Sequence, residues 1–168
     1  YYTGNEYAYV SAEFIKAMKK ANPDIKILIT GDARLSNKIY IQWVEELLSS
    51  KDLTGLQNKI FAITYHSYPF KHNKNYDPIS YKENIHINQD YNLDYKYTVL
   101  KQRLEKNKFN NISIFCNEFN AADYTSEFSH TWLNALGNAK IILRNLNAPI
   151  SIHMDFHQLL NFHGSQNN

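Results

Sequence analysis

The chain has one cysteine, Cys116, and so can form neither an internal disulfide nor a cysteine-built zinc site. Neither charge sign is in excess: 18 Lys and Arg face 16 Asp and Glu, a formal net charge of +2. That balance gives no electrostatic footprint for a nucleic acid or an anionic surface. No apolar run approaches the ~18 residues of a membrane span, and no basic start leads into an apolar leader. Glycine is scarce, at 5 residues, and no glycine-rich phosphate loop follows any strand-like segment, which argues against a nucleotide cofactor. The seven histidines stand mostly singly; His153 and His157 alternate with apolar residues and have no third ligand, a poor zinc set. The sequence opens at Tyr1 without methionine and reads as a fragment or processed piece, any leader lying upstream.

What is present is a core and many rings. At 168 residues and 43% hydrophobic content the chain is long enough for one domain with a buried interior. Thirteen Tyr, nine Phe and two Trp suit stacking on sugar faces, although an Ile-, Asn-, Lys- and Tyr-biased composition explains the same count.

Periodicity divides the chain into alternating units. Residues 7–21 carry Tyr7, Val10, Phe14, Ala17 and Met18 at helical spacing, which predicts an amphipathic helix with that stripe as its core face. Asn22, Pro23 and Asp24 stop it, and 25–30 reads as a short buried strand. A helix over 40–49 uses Trp43, Val44, Leu47 and Leu48, and a strand over 59–66 follows. Residues 70–90 are polar and without period, a long loop of the kind that is usually functional. A helix over 91–106, a strand over 112–118, a loop, a helix over 128–145 and a strand over 149–155 complete the series. Regular helix and strand alternation predicts right-handed crossovers and a parallel sheet. In such folds the loops after the strands build the site, which would gather Asp32, His66, Tyr68, Glu118, Asn120 and His157 or Gln158 on one rim.

One stretch asks for an explanation. In "ISIFCNEFN" a strand-forming run ends on Glu118, flanked by Asn117, Phe119 and Asn120. A carboxylate there is costly to desolvate unless its surroundings use it, so Glu118 is either a salt-bridged structural acid or chemistry.

The ordered series "YHSYP", "CNEFN" and "HTWLNALGNAKIILRNLNAPISIHMDFHQLLNF" resembles the C-terminal half of a clan A retaining glycoside hydrolase, most of all the alpha-L-arabinofuranosidase-like families. The segment "EYAYVSAEFIKAMKKANPDIKI" is similar to the helix that leads into the fifth strand of those enzymes. The resemblance implies a (β/α)8 TIM barrel, of which residues 1–168 form one partial catalytic domain supplying strands five to eight, the upstream half being elsewhere. It implies that Glu118 is the nucleophile and that His66 and Tyr68 stand on the sixth strand beside it. Asn117, Asn120, Asp32 and Gln158 become candidates for sugar contact. The substrate it implies is a plant- or algal-type polysaccharide or oligosaccharide, with no cofactor and no metal. A secreted or periplasmic location would suit a polysaccharide, and the remainder of the same polypeptide or barrel is the implied partner.

Glu6 in "TGNEY" is similar to the acid/base motif at the end of the fourth strand of those enzymes. It also runs straight into the first helix, where a first-turn acid is favoured by the helix dipole. The preferred reading is the helix residue, with the acid/base upstream of Tyr1; Glu6 as acid/base is the alternative. A second class of function also stands: an inactive half-barrel that binds glycans or assembles with a partner half.

Overall fold

The computed structural model describes residues 2–31, 38–67, 93–119, 132–147 and 154–156. They form an α/β fold in the order α1 (Gly4–Ala21), β1 (Leu28–Thr30), α2 (Lys38–Ser49), β2 (Ala62–Ser67), α3 (Leu93–Lys106), β3 (Ser113–Phe119), α4 (Trp132–Asn147) and β4 (Met154–Phe156). Two short 3-10 turns, Lys51–Leu53 and Gln57–Lys59, join α2 to β2. The four strands lie in chain order, β1-β2-β3-β4, and every pairing is parallel. The alternation read from the sequence therefore describes the sheet, with boundaries moved by a few residues.

Local chemistry accounts for the shifts. α1 begins at Gly4, three residues earlier than the apolar stripe suggests, because Thr3 and Glu6 close a capping box over its first turn. β2 begins at Ala62 because Gln57–Lys59 is wound into a 3-10 turn closed by Ile60 N–H donating to the Gln57 carbonyl at 3.3 Å. The predicted loop over 70–90, and residues 149–153 of the last predicted strand, lie outside the described residues.

The buried face of α1 is not the predicted one. Gly4, Ala8, Ser11, Ala12 and Ile15 are buried, whereas Phe14 is 64% and Met18 37% exposed. The reason is close approach to α2: a Cβ built on Gly4 would lie 2.1 Å from the Trp43 carbonyl oxygen and 2.8 Å from the Leu47 nitrogen. A face of small residues allows that approach, and the bulky stripe is turned aside. Tyr7 stacks at a tilt on Trp43, centroids 5.3 Å apart, and its hydroxyl accepts from Thr30 N–H at 3.1 Å, tying α1 to the end of β1. α2 behaves as read, burying Val44, Leu47 and Leu48. Glu45 on α2 pairs with Arg103 and, at 3.2 Å, with Lys106 on α3.

Strand residues in register share a face. Ile29, Ile63 and Ile114 align across the first three strands and, with Tyr65 and Cys116, join the core built by Ala8, Ala12, Ile15, Val44, Leu47, Leu100 and Leu104. Leu28, Ala62 and Ser113, then Thr30, Thr64 and Phe115, align on the opposite face. That second face is where the functional candidates belong.

Candidate functional site

The carboxyl ends of β2 and β3 bring two predicted site residues together. His66 pairs in register with Glu118, and the imidazole Nδ1 lies 3.2 Å from Glu118 Oε2. The side chains are 28% and 30% exposed, enough shielding to strengthen the contact and enough opening to meet a ligand. With its proton on Nδ1 the imidazole donates to the carboxylate.

The two side chains meet because β3 carries a register shift. Tyr65 aligns with Cys116, but the next residue of β2, His66, aligns with Glu118, so Asn117 has no counterpart. Asn117 Oδ1 is buried without a hydrogen-bond partner. Cys116 Sγ–H donates to the Glu118 carbonyl at 3.3 Å across the shift.

Glu6 is placed otherwise. Its Oε2 accepts from Thr3 N–H at 2.7 Å and from Thr3 Oγ1–H at 3.0 Å, while Thr3 Oγ1 accepts from Glu6 N–H at 3.2 Å. The Thr3 backbone hydrogen bond, then the Thr3 hydroxyl, hold the Glu6 carboxyl below its ordinary pKa. A proton donor in hydrolysis needs the opposite shift. Asp32, Tyr68, Asn120 and Gln158, with His153 and His157, lie outside the described residues. Of the predicted constellation, the described residues thus hold His66, Asn117 and Glu118, and they join His66 to Glu118.

The shift at Asn117 was the feature missed in the sequence. Its signal is a broken period: Ile112, Ile114 and Cys116 recur every second residue, and the next apolar residue is Phe119, three on.

No protein-family model matches this sequence, and no curated protein sequence matches it. Solved structures do share its fold. The chain superposes on AbfB, a family 51 alpha-L-arabinofuranosidase from Bifidobacterium longum, with a TM-score of 0.69 over 94% of this chain, at 14% sequence identity. The match covers 34% of the AbfB chain, so the present chain spans about a third of that enzyme's length. The likeness is one of fold, and it is to a glycosidase.

Proposed function

We propose that the chain is part of the (β/α)8 catalytic barrel of a retaining, arabinofuranosidase-like glycoside hydrolase, with Glu118 as its nucleophile. The observation that carries this reading is the His66 and Glu118 pair, 3.2 Å apart at the carboxyl ends of adjacent parallel strands, on the face away from the helices. In a barrel that face is the interior and that end is the catalytic rim. The fold shared with AbfB supports the class.

In this reading one Glu118 oxygen attacks the anomeric carbon as the glycosidic bond breaks, and the departing oxygen takes a proton from an acid about 5–5.5 Å across the cleft. The resulting glycosyl ester is then hydrolysed by water, which returns its proton to the same acid. His66 orients the carboxylate through their 3.2 Å contact. Glu6, engaged by Thr3, serves the helix, and the acid belongs to another part of the barrel. Tyr68, Asn120, Asp32 and Gln158 are the proposed sugar contacts, as is Asn117 once its amide turns toward the rim. The substrates in this reading are plant- or algal-type polysaccharides or oligosaccharides.

Glu118→Gln in the enzyme carrying the complete barrel tests the assignment. The amide is nearly isosteric but cannot form the ester, so turnover falls by several orders of magnitude while sugar binding persists. Turnover within about tenfold of the parent, a barrier change of only about 1.4 kcal/mol, would show that another group attacks.

A further inference from the structure

We infer that the apolar stripe of α1 and the outer edge of β1 form one docking seam for a further parallel strand, apolar on both faces and supplied, in the proposed barrel, by the rest of the polypeptide. α1 has three sides. Gly4, Ala8, Ser11, Ala12 and Ile15 are buried. At 3.6 residues per turn Glu6, Glu13, Lys16 and Lys20 gather on a second side, and Val10, Phe14, Ala17 and Met18 on a third. That third side is apolar yet open: Phe14 is 64% and Met18 37% exposed.

Tyr7, which heads this stripe, shows what the stripe overlooks. Gly31 N–H donates to the Thr64 carbonyl of β2 at 2.7 Å, so by the alternation of a strand Thr30 N–H points the other way, to the edge of β1 left unpaired among the described residues. The Tyr7 hydroxyl accepts from that N–H at 3.1 Å, which sets the stripe over the open edge. By the same alternation Leu28 N–H faces this edge, and the Leu28 side chain is 43% exposed on the face opposite Ile29. A strand laid along the edge pairs with the Leu28 backbone, sets one row of side chains under Val10, Phe14 and Met18, and sets the other row beside Leu28. Strands inside parallel sheets are apolar on both faces for the same reason. Left bare, the edge and the stripe are each sites of unwanted association. The exposed apolar residues are few beside the ~20–30 residues a side of a free-standing interface, which suits a strand tethered by its own chain rather than a second copy. The source of the strand rests on the barrel reading; the seam does not depend on Glu118.

The test uses the enzyme carrying the complete barrel. There the Leu28 amide exchanges with solvent at least about 100-fold more slowly than an unstructured amide, because a strand carbonyl accepts from it. Phe14→Gln lowers the melting temperature by about 5 °C or more, since the ring lies against the added strand. Tyr9→Gln is the control: Tyr9 is 59% exposed on the same helix but lies among the charged residues, so this variant melts within about 2 °C of the parent. The inference is overturned if the Leu28 amide exchanges freely or if Phe14→Gln melts like Tyr9→Gln. It is overturned equally if Phe14→Gln dissociates an oligomer in sedimentation, which would assign the stripe to a second copy. If Leu28 is protected and Phe14→Gln destabilises while Glu118→Gln leaves turnover intact, the seam stands and the assignment of the nucleophile falls. If Glu118→Gln abolishes turnover while Leu28 exchanges freely, the nucleophile stands and the seam falls.

Discussion

Glu6 and Glu118 are carboxylates with similar local sequences, "GNEY" and "CNEF", and their surroundings give them different work. Glu118 lies near the end of β3 against an imidazole, on the face of the sheet opposite Ile63 and Ile114. Glu6 sits in the first turn of α1 with its oxygen accepting from Thr3. Because the folded Glu6 carboxyl titrates below its ordinary value of 4.5, its contribution to stability is present above that pH and is lost as pH falls through the lowered value. Glu6→Gln is therefore expected to melt lower than the parent near neutral pH, with the gap closing as pH drops below 4.5, and to keep turnover within a few fold. Thermal melts across that range check it. A gap independent of pH would show that the cap does not act through the charge, and a turnover loss of orders of magnitude would make Glu6 the acid/base.

At the scale of elements, the periods in the sequence located the helices and strands of the described residues, because 3.6-residue and two-residue recurrences survive small errors at the ends. The facing of α1 was not legible. Tyr7, Val10, Phe14 and Met18 form the more apolar stripe, yet the helix buries Gly4, Ala8, Ala12 and Ile15. Hydrophobicity identifies a stripe, whereas contact with α2 depends on how closely two backbones can approach, a quantity visible only once α2 is in place. Gly4→Ala puts a methyl group against the Trp43 carbonyl and Leu47 nitrogen, backbone atoms that cannot rotate away. The expected cost is about 1–3 kcal/mol, read from urea denaturation. A neutral or stabilising result would mean that α1 and α2 are not packed this closely. In β3 the composition announced the strand and its terminal acid, while the face of that acid could be read only once Asn117 was known to stand outside the pairing with β2.

At the scale of the molecule, the parallel order β1-β2-β3-β4 places the ends of β2 and β3 side by side, and from that adjacency the proposed chemistry follows. The general plan was readable from alternation alone. The membership of the site was readable only in part, since residues 66 and 118 lie far apart in the chain and meet through strand pairing that no local pattern encodes. The chain corresponds to about a third of AbfB, and in the proposed barrel the proton donor comes from the other units. In the proposed mechanism Glu118 forms a covalent bond to the sugar. Trapping tests it most directly: a 2-deoxy-2-fluoro glycoside with a good leaving group, incubated with the complete enzyme, should leave a slowly hydrolysed glycosyl ester. Peptide mass spectrometry is predicted to find the fluoroglycosyl mass on Glu118. Inactivation with the label on a different carboxylate would show that Glu118 is not the nucleophile.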